Sequence, residues 1–272
     1  MSPHTLERTF DLVLGEEIVA SSTVPPGETA ATFTLPEPVE EPIEIWLTPV
    51  TDVELREIRC LNGSYLWPAP DEDRLRWVTY GSSISQCVHA HSPARTWPAC
   101  VARSRNLNLT CLGYRANCHL EPMVARLIAT LPADIITIKA GINIIGSRSL
   151  SIRTLAPALI GFVKIVRDQH PHIPIGVISS IVSPIREKGA DPKALDLTRV
   201  RAILKDAVDR LVAHGDDNLY YFDGSELISL ADADTYLLDG THPNGDGYEY
   251  LGRRIAEMVI DKLLVKVKTV KG

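Results

Sequence analysis

The stretch LeuArgTrpValThrTyrGlySerSerIleSer, residues 75–85, decides the fold. A short run rich in β-branched and aromatic side chains runs straight into a glycine and two serines, the mark of a buried strand closed by a turn. The pattern returns downstream. LeuThrCysLeu (109–112) ends at Gly113, and IleIleThrIleLys (135–139) ends at Ala140–Gly141. IleGlyValIleSer (175–179) and LeuTyrTyrPhe (219–222) follow. Helical stretches separate them. One is expected after Ser92–Pro93, where proline suits a first turn. Others are expected over 120–131, 152–169 and from Gly247 to Leu264. Between Asp196 and Val212, residues Leu197, Val200, Ile203, Leu204, Val208 and Leu211 recur at three and four, an amphipathic helix. Alternating strands and helices predict a parallel sheet covered on both faces. Right-handed crossovers make it doubly wound. Ligands gather at the carboxyl ends of such strands, so the loops after Tyr80, Leu112, Lys139 and Phe222 should share one edge.

Upstream of Leu75 the rhythm differs. ThrPhe (9–10) with Val13, AlaThrPheThrLeu (31–35) and IleGluIleTrpLeu (43–47) are β-forming runs, separated by Pro25–Pro26–Gly27 and by Pro36, Pro38 and Pro42. Val53, Leu55 and Ile58 continue at near-alternating spacing. Short strands between turn clusters suggest a small antiparallel β-sandwich domain over 1–70. Trp67–Pro68–Ala69–Pro70 and the acidic Asp71–Glu72–Asp73 read as a linker into a second domain over 71–272.

Composition narrows the class. The chain has 272 residues, 45% apolar and 23% charged, enough for a core that needs no covalent staples. A net charge of -6 argues against a nucleic-acid partner and gives no pull toward an anionic membrane. No apolar run approaches the roughly 20 residues of a membrane span. The start, MetSerProHisThrLeuGluArgThrPheAspLeu, does not read as a secretory signal. Cys60, Cys87, Cys100, Cys111 and Cys118 are odd in number and form no Cys-x-x-Cys pair, which points to free thiols in the cytoplasm.

Four features at strand ends carry the chemistry. Ser83 follows the first strand of the α/β region, where a turn into a helix can present a hydroxyl; Ser85 occupies the last glycine position of a Gly-x-Ser-x-Gly elbow, so this is not that motif. Asp239–Gly240–Thr241–His242–Pro243 places a carboxylate and an imidazole three apart. A serine nucleophile needs a base, and the base needs a carboxylate to fix its tautomer. Asp239 and Thr241 read equally well as helix caps. Gly113 and Gly141–Ile142–Asn143 follow the next two strands, where backbone N–H groups and a side-chain amide can face a developing oxyanion.

In this order the four features resemble the SGNH (GDSL) hydrolase superfamily over about 75–265. The resemblance implies a flavodoxin-like three-layer α/β/α domain and a serine esterase or acyltransferase acting on a small-molecule acyl ester. It implies no metal and no organic cofactor. Ser83 would be nucleophile, His242 base and Asp239 its orienter. Ser83 N–H, Gly113 and Asn143 would form the oxyanion hole. Two positions depart from the family pattern: Ser82 and Ile144 stand where it usually has Asp. Some members carry a β-sandwich before the catalytic domain, among them carbohydrate acetylesterases and an acyltransferase type that tailors polyketides. Such a lobe could bind substrate, cover the rim or serve as a homo-oligomer surface. Hydrolysis of an acetyl ester on a sugar or secondary metabolite is the expected reaction, with acyl transfer to an acceptor alcohol as the alternative. A non-catalytic binding module is the third reading.

Other residues carry weaker signals. Cys87, His89 and His91 alternate but lack a fourth metal ligand. Cys118–His119 are adjacent and point apart, His170 and His172 flank a turn proline, and Asp232 and Asp234 lack the rest of a calcium loop. Arg115, just past Gly113, could meet an anionic substrate. No dinucleotide or ATP motif is present.

Overall fold

The computed structural model describes residues 6–35, 37–61, 63, 65–69, 73–189, 191 and 193–271. The chain begins with three antiparallel strands, β1 (Arg8–Leu14), β2 (Glu17–Val24) and β3 (Ile43–Trp46), in the order β2-β1-β3. The lobe expected as a small β-sandwich is antiparallel as expected, and among the described residues it is one three-stranded sheet. Its strands are not all where the apolar runs suggested. Residues 31–35 and 53–58 form no strand. Val53, Leu55 and Ile58 are exposed, so their alternation has no core to face. The 31–35 segment touches β2 through Thr32 N–H donating to Ser22 Oγ (3.1 Å), without a ladder. Pro36, one of the prolines expected to end that run, lies outside the described residues. β2 went unread because Glu17, Ser21 and Ser22 interrupt its apolar pattern; it earns its place by pairing along the whole of β1. The linker is irregular and exposed at Trp67, while Pro70, Asp71 and Glu72 lie outside the described residues, as do residues 1–5, Asn62 and Ser64.

The lobe docks through a buried carboxylate. Asp11 on β1 is fully buried, accepting from Ser21 Oγ (2.7 Å) and from the Ala94 N–H (2.8 Å). Arg103 donates to the Glu16 carbonyl, and Gln86 Nε2 donates to the Pro49 carbonyl (2.9 Å). Arg74 pairs with Glu44 at 2.5 Å.

Five parallel strands form the second sheet: β4 (Leu75–Gly81), β5 (Leu107–Gly113), β6 (Ile135–Ala140), β7 (Ile175–Ser179) and β8 (Leu219–Phe222). Their order is β5-β4-β6-β7-β8, the 2-1-3-4-5 order of a flavodoxin-like fold. Among the described residues the α-helices are α1 (Ser83–Gln86), α2 (Trp97–Ser104), α3 (Pro122–Thr130), α4 (Ile142–Gly146), α5 (Leu155–Arg167), α6 (Leu197–Ala213), α7 (Ala233–Tyr236), α8 (Gly245–Ile255) and α9 (Asp261–Lys271). A π-helical turn, Ala256–Ile260, joins α8 to α9.

Strand side chains alternate between two cores. Trp77 and Ile135 face the layer containing Trp97, Tyr248, Leu251 and Val259. Val78 and Ile136 face the layer containing Ile128, Leu159, Phe162 and Leu204. Burial on both faces explains why these strands read as near-continuous apolar runs. Three of the buried polar groups among them form a chain: Trp77 Nε1 donates to Thr137 Oγ1, which donates to Thr79 Oγ1, each at 2.9 Å.

Helix boundaries differ from expectation where caps compete. Pro93 opens only a 3-10 turn, Pro93–Arg95. Thr96 caps the helix proper, its Oγ1 accepting from the Ala99 N–H (3.3 Å). Asp196 caps α6 as expected, accepting from Arg199 N–H (2.8 Å). The short helices α1, α4 and α7 are below the length at which periodicity speaks. No helix among the described residues is long and apolar enough to cross a membrane.

Candidate active site

The strand order reverses at β4, which lies between β5 and β6. The crevice at such a reversal is the usual ligand site, and Ser83 and Asn143 stand on its two sides. Ser83 is the first residue of α1 and is buried to 6% exposure. Its neighbour Ser82 caps that helix, Oγ accepting from the Ile84 N–H (3.3 Å), and the Ser82 carbonyl accepts from Ser85 N–H (2.9 Å) and Gln86 N–H (3.0 Å). The capping oxygen that aspartate would supply thus comes from a hydroxyl. A left-handed residue, Cys87 (φ 62°), ends the turn.

Ser83 Oγ lies 2.9 Å from His242 Nε2. His242 Nδ1 lies 2.8 Å from Asp239 Oδ2, while Asp239 Oδ1 accepts from the backbone N–H groups of Thr241 (3.0 Å) and His242 (2.7 Å). Burial pushes the Asp239 carboxyl up, but these hydrogen bonds and the adjacent imidazole outweigh it and hold it below the usual range. The competing reading of Asp239 as a helix cap does not hold, because Asn244 caps α8 with Oδ1 accepting from Gly247 N–H (2.7 Å). Leu238 N–H donates to the His242 carbonyl (2.7 Å) and Asn244 N–H to the Tyr236 carbonyl (2.8 Å), pinching the loop shut at both ends. Thr241 is further tied to Ser183 on the loop after β7 (Oγ–Oγ1 3.1 Å).

Asn143, on α4, lines the same pocket. Its Nδ2 donates one hydrogen bond to the Asn117 carbonyl (2.7 Å), which orients the amide and leaves its second N–H. Gly141 must be glycine here: its φ is +134°, and a Cβ would stand 2.7 Å from Ser180 Oγ and 2.8 Å from Val200 Cγ1. Ile144, at the second departure from the family pattern, is fully buried in the core beneath. Hydrophobic packing and the Asn117 carbonyl hold this loop in place of a carboxylate.

Gly113 occupies a different position from the other three loops' residues. It pairs with Gly81 in register, and a Cβ there would lie 2.4 Å from Gln86 N. Its visible role is to let α1 sit directly on β5, and it is not among the residues lining the pocket with Ser83.

The pocket encloses about 290 Å³ and is bounded by Ser83, Asn143, Asp239 and His242. Ile142, Thr241, Ile185 and Arg186 complete it. The last two come from the loop after β7, which the strand pattern places on the same edge but which carries no motif to single it out. A larger groove of about 950 Å³ runs along β8 between α6 and α9 and contains none of these residues.

The weaker candidates scatter. The His89 ring meets the His242 ring edge-on at 6.1 Å, at the rim. Cys87 is buried, with Sγ donating to the Ile84 carbonyl (3.1 Å). His91 instead pairs with Asp246 (2.8 Å), and these two and Glu249 have ligand-type atoms within 4.8 Å of one another. Cys118 Sγ faces the Lys139 carbonyl (3.4 Å), whereas His119 meets Ser149 Oγ (2.7 Å). His170 bonds the Ile128 carbonyl (3.2 Å), and Asp232 accepts from Ser229. Arg115 is exposed, with its backbone N–H on Gln86 Oε1 (3.0 Å). Lys139 is buried on β6, and desolvation lowers its ammonium to about 8, partly opposed by the Cys118 and Cys87 thiols.

The strand order and this loop edge define an SGNH-type α/β hydrolase, an enzyme of acyl-ester chemistry. Residues 75–259 match the GDSL-like lipase/acylhydrolase family, and the chain belongs to it. Among solved structures it is similar to the salicylyl-acyltransferase SsfX3 from a tetracycline biosynthetic pathway, with 25% identity and a TM-score of 0.82 over 96% of this chain and 75% of that one. A GDSL-like lipase candidate from Bacteroides ovatus ATCC 8483 shares 21% identity and a TM-score of 0.74 over 97% and 78%. A family two carbohydrate esterase from Clostridium thermocellum shares 14% identity and a TM-score of 0.67 over 95% and 87%. These last two likenesses are of fold. A comparison with curated protein sequences gives no match.

Proposed function

We propose that the protein is a serine esterase for a small acyl ester, with Ser83, His242 and Asp239 as its catalytic groups. The observation that carries this reading is the continuous line of hydrogen bonds from Ser83 Oγ through both ring nitrogens of His242 to Asp239, at 2.9 and 2.8 Å. Ser83 Oγ attacks the ester carbonyl carbon as its proton passes to His242 Nε2. Asp239 holds Nδ1–H and stabilises the imidazolium. The tetrahedral oxyanion rests on the Ser83 N–H, the Asn143 amide and the Gly113 N–H. Gly113 is read into this set from its place at the end of β5, opposite Gly81 and close against the α1 backbone. The carbonyl reforms, the bond to the leaving alcohol breaks, and that oxygen takes the proton from Nε2. Water then attacks the acyl carbon, giving its proton to His242, and the acid leaves as Ser83 Oγ recovers that proton. A pocket of about 290 Å³ suits a small acyl group, such as acetyl on a sugar or secondary metabolite.

A second reading is favoured by the likeness to an acyltransferase at a TM-score of 0.82 across 96% of this chain. The same acyl-enzyme would pass its acyl group to an acceptor alcohol, which replaces water in the second step. The N-terminal residues 1–70 act as an accessory domain and 71–272 as the catalytic one, a division supported by the family match beginning at Leu75. Five free cysteines fit a reducing cytoplasm, and a net charge of -6 fits a small-molecule partner better than a nucleic acid.

The test is turnover of p-nitrophenyl esters of increasing chain length by wild type and Ser83→Ala. Loss of release in the variant supports the assignment, and undiminished release defeats it. Acyl transfer to an added alcohol in preference to water selects the second reading.

A further inference from the structure

The pocket beside Ser83 contains a cation that has no protein partner among the described residues. Arg186 ends the 3-10 turn Pro184–Arg186 on the loop after β7 and lines the pocket together with Ser83, Asn143 and His242. Among the described residues its guanidinium makes no hydrogen bond and no ion pair; only its backbone N–H is engaged, on the Ser183 carbonyl (2.8 Å). It passes over Gly146, where even a Cβ would meet Nη1 only in ordinary van der Waals contact, at 3.6 Å.

The nearby carboxylates are already committed. Glu187, the next residue, is held by Arg201 Nη1 (2.6 Å) and Nη2 (2.9 Å) and accepts from Ser183 N–H (3.1 Å). Asp239, the carboxylate of the pocket itself, is bound to His242 and to the Thr241 and His242 N–H groups. Most of the other partly buried arginines are bound: Arg167 to Asp216 (2.8 Å), Arg105 to Asp261 (2.6 Å) and Arg95 to Glu249 (2.5 Å). An arginine fork is suited to planar, bidentate anions.

We propose that Arg186 selects substrates carrying an anionic group, a carboxylate or phosphate close to the ester. It is a specificity-determining residue and takes no part in proton transfer. The inference rests on the assignment of Ser83, because it takes the scissile ester to lie in that pocket. The anion can belong to the acyl group or to the alcohol, and in either case the guanidinium binds it while the ester carbonyl faces Ser83 Oγ.

Two matched pairs of esters distinguish these cases. Mono-p-nitrophenyl glutarate against p-nitrophenyl valerate places the charge on the acyl side. 4-Acetoxybenzoate against its methyl ester places it on the alcohol side. In at least one pair, wild type should favour the anionic member by roughly tenfold or more in kcat/KM, as expected for a charge-assisted hydrogen bond. Comparing the same ratio in variants cancels intrinsic ester reactivity. Arg186→Gln should abolish the preference, Arg186→Glu should reverse it and Arg186→Lys should restore part of it. Added salt should weaken it in wild type. Folding of each variant is checked by thermal melting, and the charge reversal gives a signed result that simple loss of packing would not. An active wild type with no preference in either pair overturns the inference alone, as does a preference that survives Arg186→Glu. If no ester is cleaved by wild type faster than by Ser83→Ala, the assignment of Ser83 falls and this inference falls with it.

Discussion

The two sheets solve different problems with different chemistry. The five-stranded sheet is buried on both faces, so its strands are largely apolar, and the candidate catalytic groups stand on the loops at one edge. The three-stranded sheet has no such sandwiching. Along β2, exposed residues alternate with half-buried ones, and the lobe is secured by one buried carboxylate, Asp11, and a few backbone contacts. A sheet covered by helices can hold a reactive constellation rigidly at its strand ends. A sheet open on one side contributes a surface and a docking contact.

This contrast predicts that changes at the strand-end loops alter rate with little loss of stability, and that changes in the N-terminal lobe do the reverse. The largest expected effect is at Asp239. With Ser83 as nucleophile, Asp239→Asn should lower kcat by about 10³–10⁴-fold, since the imidazole loses its orienter. The wild-type carboxyl is held below the usual range, so it stabilises the fold above the unfolded carboxyl pKa and loses that contribution as pH falls through its own lower value. The variant should therefore show a flatter loss of stability in acid, readable from urea melts across pH. Asn143→Ala should lower kcat by about 10²–10³-fold, as for removal of one oxyanion donor. A change below fivefold would place the oxyanion elsewhere.

Next in size comes Lys139. In the unfolded chain its ammonium keeps a proton to an ordinary value of 10.5, and in the fold only to about 8. The unfolded state binds more protons between these values, so stability rises with pH across that window. Lys139→Met should stabilise the protein at pH 7 by about 3 kcal/mol on the scale of 1.36 kcal/mol per pKa unit, with the gap closing near pH 10.5. Equal urea midpoints for the two proteins at pH 7 would contradict this. The smallest expected effect is at Asp11. Asp11→Ala strands the buried Ala94 N–H and should cost about 1–3 kcal/mol of stability. Its kcat/KM on a small p-nitrophenyl ester should stay within a few fold. A hundredfold loss would show that the lobe shapes the site, which the Gln86–Pro49 contact beside α1 would then explain.

The same contrast explains what could be read from the chain. In the doubly buried sheet, a run such as IleIleThrIleLys has one interpretation, and the strands at 175–179 and 219–222 match residue for residue. Parallel topology then fixes the functional edge without further data. In the N-terminal lobe, the apolar residues at 53–58 are exposed while the polar run at 17–24 is a strand, because pairing with β1 and not burial decides it. At the site, Ser83, Asp239, His242 and Asn143 were legible from residue type and position, and they line one pocket. Arg186 was not, because a charged residue on a loop without a motif looks like solvated surface until its neighbours are known. Nor was the way Ser82 and the Asn117 carbonyl serve the loops that lack their usual aspartates.

The most direct test of the role proposed for Ser83 is intact mass spectrometry of wild type and Ser83→Ala after brief exposure to short-chain p-nitrophenyl esters. Wild type should gain one acyl group, with p-nitrophenol released, and Ser83→Ala should gain none. An acyl adduct of equal yield on both proteins, or steady release from both, would contradict it.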